Sequence, residues 1–176
     1  MEGLDPTEFD VIMFIFRVLV GLTFAAHGYA KMFRGGRIEG TAGWFDSMGM
    51  KPGRIHALLA SITEMGSGVL LAVGLFTPFA AAAIVGVMLV AGWTVHRDHG
   101  FFIVSEGWEY TFIMALMAFV IAGLGPGTWS LDSAIGIADE LNGYAGLVIA
   151  GGIGIAAGIA QIALFYRPPT AAAAEA

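Results

Sequence analysis

Apolar residues gather into five runs along the chain, separated by stretches rich in glycine, proline and charge. A helix that crosses the hydrocarbon of a bilayer needs about 20 such residues. The first run, about Val11 to Phe33, holds one arginine, Arg17, and the second, about Ile55 to Phe76, holds Glu64. Thr77-Pro78 then predicts a tight turn, because proline opens a helix well and continues one badly. The third run spans about Phe79 to Val95. The fourth, about Tyr110 to Leu124, is short and stops at Gly123-Leu124-Gly125-Pro126-Gly127. The fifth, Tyr144 to Tyr166, contains no charge, and Pro168-Pro169 leads into an alanine-rich tail expected to be disordered. The predicted organisation is a helical core over 1–142, a further crossing helix over 143–167 and a tail over 168–176.

Two connections carry patterns of their own. Residues 34–54 hold Gly35-Gly36, Gly40 and Gly43, then Trp44-Phe45 and Lys51-Pro52, which predicts a folded interfacial segment with aromatic anchors. Residues 130–141 predict a short amphipathic helix capped by Ser130. Leu131, Ala134, Ile135, Ala138 and Leu141 share its apolar face, and Asp132, Asp139 and Glu140 are expected to lie away from it.

Composition turns this pattern into a class. The 176 residues are 57% hydrophobic and 12% charged, with a mean hydropathy of +0.79. A soluble domain carries about 25% charged residues, so the expected architecture is all-α, an integral membrane helical bundle. A net charge of −6 argues against nucleic acid as a partner. The acidic start, Met1 to Asp10, lacks the positive charge of a cleavable signal, so the first run is expected to be retained. With no cysteine, thiol chemistry is excluded. Lys31, Arg34, Arg37, Lys51, Arg54, Arg97 and Arg167 all fall on one side of a five-crossing chain. The positive-inside rule therefore predicts an inner or plasma membrane protein with its N-terminus outside and loop 34–54 in the cytoplasm.

Charges inside lipid cost about 2.5–3.5 kcal/mol each and turn toward the bundle interior. Arg17, Gly21, Phe24, Gly28 and Lys31 share one stripe of the first helix, with His27 at its edge. At 1.5 Å per residue, His27 lies roughly 9 Å, and Glu64 roughly 13 Å, from the loop-side ends of their helices. His96, Arg97 and Glu109 stand at the same ends of the third and fourth helices. The candidate polar cluster is thus Arg17, His27, Lys31, Glu64, His96 and Glu109, with Arg17 nearer the opposite side and expected to meet water or a carbonyl. Each also has a plain structural reading as an ion-pair partner, a cap or a snorkelling cation. His96 and His99 are three apart near Glu109, but His99 falls beyond the helix end, so no metal site is assigned. In the fifth helix Gly146, Ala150, Gly154 and Gly158 recur every four residues, a close-packing stripe for the other helices or for another subunit.

These residues together resemble the DoxX family. Its first helix carries an Arg, a Gly-x-x-Phe and a His-Gly-x-x-Lys-x-Phe, here Arg17, Gly21, Phe24, His27-Gly28, Lys31 and Phe33. Gly40 to Phe45, Met48-Gly49, Glu64-x-Gly66-x-Gly68, Gly74 to Thr77, His96, Gly100-Phe101-Phe102, Glu109-Tyr110 and Gly127 to Asp132 continue the pattern in order. The resemblance covers about Arg17 to Asp132. It implies a four-helix membrane core, to which this chain adds a fifth helix. It also implies a place near thiosulfate:quinone oxidoreduction, redox homeostasis or an accessory role in a larger complex.

Three functions follow as expectations. The first is service to a respiratory or redox-associated membrane complex. Nothing in the chain carries electrons, so this needs a partner subunit or a diffusible cofactor such as a quinone, and catalysis by this chain alone is not expected. The second is a non-catalytic subunit that anchors or stabilises a larger complex, or a homo-oligomer, through the glycine stripe. The third is a small-solute carrier, for which the sequence shows neither an internal repeat nor a pair of broken helices.

Overall fold

The computed structural model describes residues 5–168, and among these it is helical without a strand. The first four residues of the acidic start, and the expected disordered tail beyond Pro168, lie outside the described residues.

Helix α1, Pro6–Phe33, begins earlier than the apolar run because its start is capped. Asp5 accepts from the Thr7 N–H, Glu8 accepts from the Asp5 N–H at 3.2 Å, and Pro6 occupies the first turn. Asp10 therefore belongs to the helix. The 34–54 connection folds as α2, Arg37–Ser47, which buries Ala42 and Phe45 and leaves Trp44 exposed. Asp46 accepts from the Gly53 N–H at 2.8 Å and ties α2 to the start of α3, Gly53–Val73. The second apolar run outlasts its helix: Gly74 is left-handed at φ 66 and Phe76 at φ 47, so Gly74 to Phe76 form the turn into α4, Thr77–Ala91. The chain then winds on through a π turn, Gly92–His96, and a 3₁₀ turn, Arg97–His99. Helix α5 is Glu109–Leu124. Two short helices, α6 (Leu131–Ala134) and α7 (Ala138–Leu141), lead to a last rod built of α8 (Gly143–Val148), a π turn (Ile149–Ile153) and α9 (Gly154–Phe165).

Four rods, Pro6–Phe33, Gly53–Val73, Thr77–His99 and Gly143–Phe165, are long and apolar enough to cross a membrane. The 16 residues of α5 cover about 24 Å at 1.5 Å per residue, a little short of a hydrocarbon core of about 30 Å. Helix α1 packs on α3, α3 on α4, α4 on α5, and α5 touches α1, which closes a four-helix bundle. The last rod leans on the outside of α4 and α5. Burial is inverted relative to a soluble protein. Leu19, Leu22, Ile62, Ile159 and Leu164 are each more than half exposed, while Arg17, Glu64 and Asp132 are buried. Only lipid as the surrounding solvent makes that favourable, and the chain is a multi-pass membrane protein.

The small-residue stripe of the last rod faces inward. Gly146, Ala150, Gly154 and Gly158 are all buried. A Cβ on Gly154 would stand 2.6 Å from the Ala82 carbonyl oxygen, and one on Gly158 would stand 3.1 Å from that of Gly86. Of the two dockings open to the stripe, the chain uses the internal one.

The 130–141 segment departs from its expected form. Ser130 does cap, accepting from the Ser133 N–H at 3.2 Å, but the helix breaks at Gly136, φ 78, into α6 and α7. The expected faces are exchanged at its start: Asp132 is fully buried, whereas Leu131 and Ile135 are exposed. Asp132 accepts from the Phe76 N–H at 2.7 Å and the Thr77 N–H at 2.9 Å, the free donors at the start of α4. Those donors have no intrahelical partner, whereas a leucine at a bilayer boundary already has an apolar neighbour.

Candidate functional site

The site is set by how closely α1 and α3 cross. A Cβ on Gly28 would lie 2.6 Å from the Ser61 oxygen and 2.7 Å from the Met65 nitrogen; one on Gly68 would lie 2.5 Å from the Gly21 oxygen. The glycines let the two backbones touch, and the crossing brings Lys31 of α1 to Glu64 of α3. Lys31 Nζ donates to Glu64 Oε1 at 2.8 Å and Oε2 at 2.6 Å. The carboxylate is 3% exposed and the ammonium side chain 25% exposed, so the pair sits with Glu64 inside and Lys31 toward the edge. The Thr41 hydroxyl of α2 donates to the Lys31 carbonyl at 2.9 Å and holds that end of α1.

One turn earlier on α1, His27 Nε2 and the Tyr110 hydroxyl of α5 share a hydrogen bond of 2.8 Å. His96, in the π turn that extends α4, places Nδ1 2.6 Å from the Glu106 carbonyl oxygen. A carbonyl only accepts, so Nδ1 is the donor in this bond.

These groups line one cavity of about 590 Å³. Most of its wall is apolar, and on α4 it is made of small residues, Ala82, Ala83, Gly86 and Ala91, whose missing bulk leaves the space. Leu59 of α3, Phe79 of α4 and Ile153 of the last rod, each about half exposed, also line it. Toward the loop side it is lined by Trp44, Phe45 and Met48, at and just after α2, and by Gln161. The Gln161 amide donates to His56 Nδ1 at 3.3 Å, and His56 packs edge-on against Phe165, which joins α3 to α9 there. Both π turns contribute to the wall, through His96 and Ile153. Such bulges recur at functional sites because they re-aim side chains out of the helical register.

Of the six candidate residues, His27, Lys31, Glu64 and His96 come together in this cavity. Glu109 does not join them; it accepts from the Ile103 N–H at 2.9 Å and fastens the 100–108 loop to the start of α5. Arg17 lies at the opposite end of the bundle. It donates to the carbonyls of Pro126, at 3.1 Å, Ala72 and Trp129, and so meets carbonyls in place of water. Nearby Asp10 accepts from the Thr128 N–H at 2.7 Å and from the Thr128 hydroxyl. Arg17, Asp10 and Asp132 together pin residues 126–132 across that end. Sequence reasoning did not single out Tyr110, Asp10 or Asp132. Asp10 had a readable signal, since it lies seven residues before Arg17 on the same helical face. Tyr110 had its place in the Glu109-Tyr110 motif of the family resemblance, where the charged neighbour drew the expectation.

The arrangement suits an apolar molecule with a polar edge. A largely hydrophobic, preformed pocket with a few convergent polar groups is the usual form of a small-molecule site. It offers an ammonium donor, a carboxylate, a phenol and two imidazoles.

No curated protein and no solved structure matches the chain. The family model described as DoxX matches residues 12–97, a stretch that contains Arg17, His27, Lys31, Glu64 and His96 and stops before α5 and the last rod. Over this stretch, just under half of the chain, which builds α1 to α4 of the helical membrane bundle, the protein matches the DoxX family.

Proposed function

We propose that this protein serves a redox-associated membrane complex, of respiratory type, by holding a lipid-soluble quinone in the cavity between α1, α3, α4 and the last rod. The observation that carries the reading is one largely apolar cavity, lined by the half-exposed Leu59, Phe79 and Ile153 and by the polar pairs Lys31–Glu64 and His27–Tyr110. A quinone partitions into the bilayer, so entry past these apolar residues is the natural route. Its carbonyl oxygen needs a donor, which Lys31 or Tyr110 supplies, and its reduction takes up protons, which His27 and His96 can relay. The chain has no cysteine and so no thiolate to carry electrons; these come from a partner subunit or a diffusible donor.

In this reading the core through residue 142 holds the site and the last rod, 143–167, forms one wall of it. Loop 34–54 faces the cytoplasm of a plasma or inner membrane, where its cations belong. The anchoring alternative loses its main support, because the glycine stripe is used within the chain.

The test is direct binding. Protein purified in mild detergent is titrated with decylubiquinone and with a short-chain menaquinone, read by quenching of tryptophan fluorescence. Saturable binding is expected, weakened about tenfold by His27→Ala and by Glu64→Gln, the loss of one good hydrogen bond. Absence of saturable binding in the unaltered protein overturns the reading.

A further inference from the structure

A second, separate groove runs along the outer side of α4 and α5. It holds about 340 Å³ and is lined almost wholly by apolar side chains, Val85, Met88, Leu89, Phe112, Ala115 and Ile155. At its loop-side end stand Trp93, Trp108 and Arg97. From Val85 to Arg97 the groove follows twelve residues of one rod, about 18 Å at 1.5 Å per residue. The hydrocarbon of one leaflet is about 15 Å deep, half of a core of about 30 Å. The groove therefore has the length of one leaflet and the polarity of one lipid.

Its cation is held ready. The π turn Gly92–His96 and the 3₁₀ turn after it carry Arg97 back over Trp93, with the guanidinium carbon 4.7 Å from the ring centroid. Among the described residues Arg97 has one acidic partner, Asp98, which touches it only through Nε at 3.4 Å and is itself 81% exposed. Glu109 is turned to the 100–108 loop, where it accepts from the Ile103 N–H, and makes no ion pair with Arg97 among the described residues. The two terminal guanidinium nitrogens have no hydrogen-bond partner among the described residues, and a fork of this kind matches phosphate geometry.

We propose that this groove is a binding site for one anionic phospholipid, with the headgroup phosphate on Arg97 and one acyl chain lying along Val85 to Ile155. Apolar grooves on membrane proteins all meet lipid; the claim here is selection of an anionic headgroup by Arg97. Trp93 and Trp108 flank the glycerol level, where aromatic residues anchor at interfaces. The inference is independent of the quinone reading, since neither Arg97 nor Trp93 lines the other cavity.

The test uses a Trp44→Phe, Trp129→Phe background, which leaves Trp93 and Trp108 as reporters. The protein is reconstituted in phosphatidylcholine vesicles containing a small fraction of acyl-brominated phosphatidylglycerol or of phosphatidylcholine with identical brominated chains. Brominated phosphatidylglycerol is expected to quench at about a fivefold lower fraction, the effect of one cation near the surface. Arg97→Gln should bring the two lipids to parity, and Arg97→Lys should retain most of the preference. Ala115→Phe, which fills the groove, should reduce quenching by both lipids. Equal quenching in the unaltered background, or a preference that persists in Arg97→Gln, overturns the proposal.

Discussion

Lys31 reaches both carboxylate oxygens of Glu64, at 2.8 and 2.6 Å, across the closest approach of α1 and α3. The two ends of this bond are not equivalent. Glu64 is sealed in, while Lys31 sits at the cavity's edge and has a flexible stem that can turn to water.

The inequality predicts an unequal response to mutation. Lys31→Met leaves a buried carboxylate without its cation, and removing one partner of a buried pair costs about 3–5 kcal/mol. Glu64→Gln should cost less, because Lys31 can leave. Thermal unfolding in detergent, compared across the two variants and the double variant Lys31→Met, Glu64→Leu, checks this. The double variant is expected to recover much of the loss, and equal effects of the two single changes would contradict the asymmetry.

Tyr110→Phe removes a hydroxyl that meets His27 at 2.8 Å. Stability should fall by about 1 kcal/mol, the net worth of an ordinary hydrogen bond. Quinone binding should weaken in Tyr110→Phe and in His27→Ala alike. The pairing is measured by a double-mutant cycle, in which the two changes together should cost less than their sum.

The last rod offers a comparison of glycines. At Gly154 a Cβ meets the Ala82 oxygen at 2.6 Å and Val85 Cβ at 2.8 Å, whereas at Gly152 nothing lies within 4 Å. Gly154→Leu should separate the rod from α4 and lower the unfolding temperature by many degrees. Gly152→Leu should be nearly silent or slightly stabilising, since glycine in a helix is about 1 kcal/mol worse than a good helix former.

Asp132 is the partner of two backbone donors, on Phe76 and Thr77. Asp132→Ala strands both, the Thr77 donor in a buried position, in a turn where Phe76 already holds the left-handed conformation at φ 47. Each buried donor left unmet costs about 1–3 kcal/mol. Asp132→Asn keeps an acceptor for one of them and should fall between. Hydrogen exchange at the two amides, followed by mass spectrometry, reports the loss directly.

The five apolar helical rods were legible because a run of apolar residues means the same thing wherever it occurs in a membrane chain. So was the Arg17–Lys31 stripe, whose glycines and charges share one helical phase. What could not be read was which side of a short segment is inside. For 130–141 the amphipathic pattern put Leu131 inward and Asp132 outward, as it would in water. Here the outside is lipid, and the buried turn at Phe76–Thr77 needed a carboxylate. Tyr110 escaped for another reason: its role depends on α5 meeting α1, a contact between residues far apart in sequence. Glu109, its neighbour, carried the charge that drew the expectation, yet it points to the 100–108 loop.

An odd number of crossings has a topological consequence. With the short α5 counted beside the four long rods the crossings would number five, and Asp5, at the start of α1, and Arg167, just after α9, would then emerge into different aqueous compartments. A reporter fused at one end of the chain and a second fused at the other would never share a solvent. In a sealed vesicle only one of them could be trimmed by added protease, whichever way the molecule had inserted.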